Sequence, residues 1–255
     1  YGIICPRIGE NVYQAPHPNH AERVAIKQLT KCVVDAYLEA GGEENPYKEV
    51  ARARELGDNR HVLKCTDFLE DDEYLYIITP MACEWGTLAD FIAWGDSNNL
   101  MDPELSRQIF IKVLRILDYL LGFGINHHDL SPDNFLFLSP KNLVVFDLAL
   151  SVRMPVDPST ANRALIRPQG NFGTHAWMCP EVCCSIRFAD RKLTRTLSFS
   201  PQVFLNRLYD GHGMDLWATA VLLYNLLTNR GLYRTPELTD CLFHFFVFGE
   251  ALASP

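Results

Sequence analysis

The chain lacks the features that would assign it to several specialised classes of protein. No apolar run approaches the roughly 20 residues of a membrane-spanning helix, and the first residues do not form a secretory signal. Basic residues are few, since 23 Lys and Arg stand against 31 Asp and Glu and give a net charge of −8 at pH 7. That charge argues against broad binding to nucleic acid or anionic membranes. We therefore expect a cytoplasmic, intracellular protein without a membrane segment or a nucleic-acid partner.

The chain also lacks a cysteine framework and an initiator Met. Its eight cysteines are irregularly spaced, which suits a reducing compartment. One group, His175, Cys179, Cys183 and Cys184, resembles a set of metal ligands. A structural zinc is one interpretation, but adjacent cysteines lack the usual paired spacing, so buried or surface thiols are preferred. The missing Met suggests a fragment or an excised domain.

What is present is the composition of a globular protein large enough for one domain or two lobes. The chain has 255 residues, of which 48% are hydrophobic and 21% charged. Hydrophobic periodicity predicts strands at 23–29 and 74–79, a hairpin of 135–137 with 143–146, and a long loop at 151–171. It predicts helices at 46–56, 88–94, 105–121 and 214–227, and a connector between lobes at 80–85.

The most informative stretch is the octapeptide at 127–134, His-His-Asp-Leu-Ser-Pro-Asp-Asn, followed by a further aspartate, Asp147, at the end of the next apolar run. Asp129 could accept a proton from a hydroxyl nucleophile. Asn134 and Asp147 supply oxygen ligands suited to Mg²⁺. A polar turn before a buried strand would explain Asp129 alone, but the ordered set favours phosphoryl transfer.

With these motifs, the chain resembles a eukaryotic protein kinase domain from about residue 12 to about residue 249. The strand ending in Lys27 is similar to the one whose Lys orients the α- and β-phosphates, and Glu49 lies where a helix Glu pairs with it. The octapeptide is similar to the catalytic loop, and Asp147 begins the metal-binding triplet. Residues 173–181 look like the end of the activation segment, and Asp215 looks like the residue that braces the catalytic loop.

The resemblance implies an α+β, bilobal kinase-like fold. We expect a single domain over 1–255, with a small β-rich N-lobe at 1–82 and a helical C-lobe at 83–255 that is incomplete at its C-terminus. It implies Asp129, Lys27 and Glu49 as catalytic residues and Asn134 and Asp147 as ligands of Mg²⁺. Of these, Lys27, Asp129, Asn134 and Asp147 are expected around one cleft between the lobes. The positions expected to contact ATP are Val12, Ala25, Lys27, Thr79, Met81, Ala82 and Leu136.

Four departures from the family pattern stand out. Of the glycine-rich loop only Gly9 remains, which predicts weakened nucleotide affinity. Ala149 replaces the last Gly of the metal triplet, and Ser131 replaces a Lys that touches the γ-phosphate, a loss on the order of 10²-fold in rate. His128 replaces the Arg that recognises a phosphate on the activation loop, so phosphorylation of Ser159 or Thr160 is not expected to switch the protein through that pocket.

Three functions remain open from the sequence. The first is a protein kinase that transfers the ATP γ-phosphate to Ser or Thr hydroxyls of protein substrates. The second is a pseudokinase that keeps the fold as a nucleotide-binding or scaffolding module, as the departures suggest. The third is a small-molecule phosphotransferase of the aminoglycoside type, which would have no docking segment such as Gly173-Thr174.

Overall fold

The structure is a computed structural model that describes residues 7–9, 11–16, 23–97, 102–155, 164–166, 173–179, 209–234 and 240–248. The chain forms two compact units: Tyr1–Phe91 with Pro132–Leu150, and Ile92–Ser131 with Ser151–Pro255. The lobe division at residue 82 stays a prediction. The phosphorylation candidates Ser159 and Thr160 and the zinc candidates Cys183 and Cys184 lie outside the described residues.

The first unit is built on an antiparallel sheet with strand order β1-β2-β3-β5-β4. The strands are β1 Arg7–Gly9, β2 Val12–Pro16, β3 Arg23–Thr30, β4 Asp67–Glu70 and β5 Tyr74–Pro80. One face of the sheet carries a small core of Ala15, Val24 and Ile78, which are directly paired or adjacent across β2, β3 and β5. Because successive side chains along a strand point to opposite faces of the sheet, the residues that neighbour Ala15, Val24 and Ile78 in their strands point to the other face.

Two helices follow β3. Helix α1, Lys31–Glu39, buries none of its residues. Helix α2, Pro46–Leu56, begins with Pro at its first position and is capped by Asn45, whose side chain accepts hydrogen bonds from the N–H groups of Tyr47 and Lys48. Its Val50 and Leu56 are buried. This capped, half-buried helix carries Glu49 in its first turn.

The first unit is completed by a hairpin of β7, Phe135–Ser139, and β8, Asn142–Val145, preceded by a single 3₁₀ turn at Pro132–Asn134. Its strand residues Phe135, Phe137 and Val145 are almost fully buried. Val145 exchanges backbone hydrogen bonds with the segment at 61–63, donating to the carbonyl of His61 and accepting from the N–H of Leu63. The hairpin is therefore fixed against the same unit as the sheet.

The second unit is mainly helical. It contains α4, Pro103–Gly122, α5, Gly211–Thr228, and α6, Cys241–Phe248, together with the short pair β6, Ile125–Asn126, and β9, Val152–Arg153. Helix α3, Leu88–Ser97, begins in the first unit and ends in the second. Buried residues recur along α4 at helical spacing, at Ile109, Val113, Ile116 and Leu120. The predicted helices at 46–56, 105–121 and 214–227 are thus confirmed. Among the described helices, none is long and apolar enough to cross a bilayer.

Candidate active site

One face of the five-stranded sheet gathers several of the residues expected to contact nucleotide. Lys27 of β3 is directly opposite Val12 of β2, and Ala25, two residues earlier, is directly opposite Thr79 of β5. Directly paired residues project to the same side of a sheet. Val12, Ala25, Lys27 and Thr79 therefore share one face, opposite the core around Val24.

On that face Lys27 lies between two carboxylates. Its Nζ donates to Glu49 Oε2 at 3.1 Å and lies 4.0 Å from Asp147 Oδ2. The Glu49 side chain is 13% exposed and that of Asp147 is 27% exposed, so the pair with Glu49 is the more shielded. The structure thus brings together three residues that lie 22 and 98 positions apart in the chain.

The electrostatics of the three groups follow from burial and mutual charge. Burial by itself would lower the pKa of Lys27, but the carboxylates of Glu49 and Asp147 outweigh it and raise that pKa above its ordinary value. Burial raises the pKa of the Glu49 carboxyl, and the positive charge of Lys27 opposes this effect. Lys27 is consequently a fixed cation at neutral pH.

The hairpin β7–β8 places Leu136 beside the connector that follows β5. The N–H of Cys83 donates to the carbonyl of Phe137 at 2.8 Å, and the N–H of Phe137 donates to the carbonyl of Gly86 at 3.0 Å. Thr87 also forms a bridge with Leu136. Leu136 alternates with the buried Phe135 and Phe137 and therefore projects away from them, while Met81 and Ala82 of the connector are half-buried.

Asn134 and Asp147 lie at the same end of this hairpin. Phe135 pairs with Val145, Asn134 precedes that pair, and the N–H of Phe146 donates to the carbonyl of Asn134 at 3.0 Å. Asp147 has a left-handed backbone with φ of 60°, an uncommon conformation for a residue other than Gly. One amide and one carboxylate at one hairpin end form a donor set that suits a hard divalent cation, so the residues fit a metal site.

The first departure, the loss of the glycine-rich loop, lies between β1 and β2. Gly9 pairs with Val12, so only Glu10 and Asn11 lie between the strands. Asn11 adopts φ of 56°, and its carbonyl accepts a hydrogen bond from the N–H of Gln28 at 2.8 Å. Asn tolerates this left-handed conformation better than most residues, so it occupies a position that would otherwise favour glycine.

In the second unit Asp129 is held by Thr174. Its Oδ1 accepts from the backbone N–H of Thr174 at 2.7 Å and from the Thr174 hydroxyl at 2.9 Å. The preceding Gly173 has φ of 66°, and an added Cβ would lie 2.6 Å from the carbonyl oxygen of His128. Only glycine fits there, because both the backbone conformation and the close approach exclude a side chain.

Asp215 fixes the backbone just before Asp129. Its carboxylate, buried in α5, accepts the N–H of His127 at 2.7 Å and that of His128 at 3.0 Å. Burial raises the pKa of Asp215 to about 6, although His127 and these two backbone donors act in the opposite direction. His128 has φ of 69°, so this carboxylate stabilises a backbone conformation that is unfavourable for a residue other than glycine.

Ala149 and Ser131, two further departures from the family pattern, are both buried. Ala149 is buried and is not among the residues with positive φ, so its methyl group fits the observed backbone. The Ser131 hydroxyl is buried and makes no hydrogen bond among the described residues. The guanidinium of Arg153 donates to the carbonyl of Phe123 at 2.8 Å.

Two tyrosines near this site have no counterpart among the residues predicted from sequence. Tyr233 accepts a hydrogen bond from the indole of Trp217 at 2.9 Å and donates to the carbonyl of Met178 at 2.8 Å. Tyr209 shares a hydrogen bond with His128, at 3.3 Å between its hydroxyl and Nε2. Both are single aromatic residues outside any recognisable motif, so no sequence signal could have selected them.

The structure therefore collects the predicted residues in two sets. Lys27, Glu49, Asn134 and Asp147 belong to the first unit together with the nucleotide-contacting positions, and Asp129 belongs to the second. A common cleft for Lys27, Asp129, Asn134 and Asp147 stays a prediction.

The chain is similar to known protein kinases. The family described as "Protein kinase domain" matches residues 8–244. The chain is 25% identical over 219 residues to Serine/threonine-protein kinase ksp1 of Schizosaccharomyces pombe, covering 86% of this chain and 40% of that protein. It is 27% identical to CBL-interacting protein kinase 4 of Oryza sativa subsp. japonica (90% and 44% covered) and 27% identical to a calcium/calmodulin-dependent protein kinase of Metarhizium anisopliae (86% and 48%). The chain spans less than half of the length of each of these relatives.

Proposed function

The chain belongs to the protein kinase domain family, and on that premise we propose that it transfers the γ-phosphoryl group of ATP to Ser or Thr hydroxyls of a protein substrate. The family uses ATP and a divalent metal ion; we propose Mg²⁺ as the metal. The observation that carries the proposal is the placement of Lys27 between Glu49 and Asp147 at 3.1 and 4.0 Å. A cation that is held by one shielded carboxylate, Glu49, and lies beside a second, more exposed one, Asp147, suits the binding of a metal–phosphate group.

Each residue has a defined role in this reaction. Lys27, oriented by Glu49, binds the phosphates of ATP as a fixed positive charge. Asn134 and Asp147 would hold the divalent ion, which when bound neutralises charge on the phosphate oxygens. Asp129, oriented by Thr174, accepts the proton of the substrate hydroxyl while the oxygen of that hydroxyl attacks the γ-phosphorus. The bond from that phosphorus to the β–γ bridging oxygen breaks, and ADP leaves.

The proposal is tested by transfer of γ-labelled phosphate from ATP to protein or peptide, comparing wild type with Asp129→Asn. Removing a general base lowers such rates by about 10²- to 10⁴-fold, so we expect kcat to fall in that range with little change in the KM for ATP. Asp118→Asn, the same chemical change at an exposed position of α4, is the matched control and should retain full activity.

Nucleotide binding is measured separately by thermal shift with ATP, with and without Mg²⁺. A ligand at about 100 times its Kd stabilises the folded state by about 2.7 kcal/mol, and Lys27→Met should remove most of that shift. Binding without transfer that depends on Asp129 would contradict the kinase proposal and select the pseudokinase. The short connection between β1 and β2 and the buried Ser131 hydroxyl are the features consistent with that second outcome.

A further inference from the structure

Tyr209 lies at the junction of three segments of the second unit. It stands two residues before α5 and is 4% exposed, and its hydroxyl is 3.3 Å from Nε2 of His128, which is 1% exposed. The two ring centroids are 5.9 Å apart and tilted by 36°. The side chain of Tyr209 is therefore packed and hydrogen-bonded against the residue that immediately precedes Asp129.

The backbone of Tyr209 makes a second connection. Its N–H donates to the carbonyl of Ile166 at 2.9 Å, and its carbonyl accepts the N–H of Ile166 at the same distance. Ile166 belongs to the stretch 151–171, for which the sequence predicts a long loop. A reciprocal pair of hydrogen bonds thus joins Ile166, within the stretch 151–181 that we call the activation segment, to the residue that contacts His128.

His128 needs such support because its backbone is left-handed, with φ of 69°. A conformation of this kind persists only when the surroundings fix it. The Asp215 carboxylate holds the N–H groups of His127 and His128, and Tyr209 holds the His128 ring. The position of Asp129, the next residue, depends on both constraints.

The described residues around this contact disfavour the binding of a phosphate. Both rings are almost fully buried, and the acidic side chains that line the adjoining cavity, Asp129 and Asp215, are negatively charged when ionised. A dianion brought beside His128 would lose its hydration and meet like charge, which is strongly unfavourable.

We propose that Tyr209 is a positioning residue that links the activation segment to the catalytic loop through His128, and that this link orders Asp129 without activation-segment phosphorylation. This inference rests on the proposed kinase function, because it assigns the purpose of the link to phosphoryl transfer. The link itself is a structural feature that can be measured without ATP.

The test compares wild type with Tyr209→Phe, which deletes one hydroxyl and keeps the packed ring. Amide hydrogen exchange at Ile166 and Asp129 is followed without nucleotide on phosphatase-treated protein. Losing one buried hydrogen bond corresponds to about a 2- to 10-fold change in a local equilibrium, so we expect exchange at both amides to accelerate by that factor. Tyr37→Phe, which deletes an exposed hydroxyl of α1, should match wild type.

Kinetics on the same dephosphorylated proteins separate positioning from general destabilisation. Well below the melting temperature, Tyr209→Phe should lower kcat by a similar factor and leave the KM for ATP unchanged, since Lys27, Glu49 and Asp147 belong to the other unit. His128→Gln should lower kcat by a comparable factor. The double variant should have a kcat no lower than that of either single variant, as expected when the two residues are partners in one hydrogen bond.

Unchanged amide exchange at Ile166 and Asp129 in Tyr209→Phe would overturn the link. So would a decrease in kcat of the double variant that equals the product of the decreases in the two single variants. Loss of wild-type transfer after phosphatase treatment would overturn its independence of phosphorylation. Absence of transfer in both phosphorylated and dephosphorylated wild type would overturn the proposed function and the catalytic purpose assigned to the link, while the exchange result would still decide whether the link exists.

Discussion

Lys27 illustrates, at the scale of single residues, how one cation can serve two carboxylates with different tasks. Glu49 is closer to Lys27 and better shielded from water, whereas Asp147 is 4.0 Å away and more exposed. A shielded partner interacts more strongly at a given distance because the local dielectric constant is lower. Glu49 is therefore the permanent partner that orients Lys27, and the carboxylate of Asp147 remains available to an incoming cation.

Asp215 leads to a prediction about pH. Its pKa is raised to about 6 by burial, so between about pH 4 and pH 6 the folded protein retains a proton that the unfolded chain releases. Raising the pH through this window therefore disfavours the folded state. At about 1.4 kcal/mol for each tenfold change in acidity, this residue lowers the free energy of unfolding by up to about 3 kcal/mol.

The measurement is denaturant unfolding of wild type and Asp215→Asn across that window. The variant lacks the titrating group, so the difference in the free energy of unfolding between the two proteins should change by up to about 3 kcal/mol from pH 4 to pH 7. It should also show a constant loss, because an amide has one acceptor oxygen for two backbone donors. Asp118→Asn should keep the wild-type pH dependence; a constant difference between wild type and Asp215→Asn would contradict the assignment.

The predicted site residues lie in recognisable local sequence patterns, whereas the residues that the sequence analysis missed do not. Lys27, Asp129 and Asp147 each sit in a run whose order and spacing carry the chemistry, so the sequence could indicate them before any coordinates. Tyr209 acts through a contact with His128, 81 positions away, and through its backbone. Such a role depends on tertiary packing, and no local pattern around Tyr209 encodes it.

At the scale of helices and strands, the sequence predicts best those elements that bury a regular set of apolar residues. Helix α4 buries Ile109, Val113, Ile116 and Leu120 and begins after the capping residue Asp102, so its periodicity and its start are both present in the sequence. Helix α1 buries no residue although its sequence contains Val33, Val34 and Leu38, so apolar residues alone do not show that a helix will be buried. The strands β6 and β9 have two residues each, too short for an alternating pattern.

The cap of α2 gives a prediction for this scale. Asn45 accepts two backbone hydrogen bonds at the start of the helix that carries Glu49. Asn45→Ala should lower the free energy of unfolding by about 1 kcal/mol and should also weaken ATP binding, because the first turn positions the partner of Lys27. Nucleotide titration and denaturant unfolding on the same samples provide both quantities.

The matched control is Asp102→Ala, which removes the cap of α4, where Asp102 accepts the N–H of Leu105 at 2.8 Å. A similar loss of stability is expected there, with no change in the Kd for ATP. Equal weakening of ATP binding by both variants would show that general destabilisation, and not the position of Glu49, is responsible.

At the scale of the whole molecule, the functional groups are divided between two compact units. The nucleotide-contacting positions and the metal ligands belong to the unit built on the sheet and the β7–β8 hairpin, and Asp129 with its supports Thr174, Asp215 and Tyr209 belongs to the helical unit. The catalytic octapeptide is itself divided, since the first unit resumes at Pro132. Sequence order alone cannot reveal this division, because it depends on which segments pack together.

The overall charge leads to the last prediction, which concerns the substrate. With a net charge of −8, the chain should attract positively charged peptides over distances longer than any single contact. Raising the ionic strength from about 0.05 M to about 0.5 M shortens the screening length from more than 10 Å to a few Å. We therefore expect kcat/KM for a basic peptide to fall by about 10-fold over this range, with kcat at saturation unchanged, because only the encounter is screened.

A neutral peptide of the same length around the same Ser is the control and should show little change. A preference for an acidic peptide, or an equal salt effect on the neutral one, would mean that local groups around the substrate, and not the net charge, govern selection.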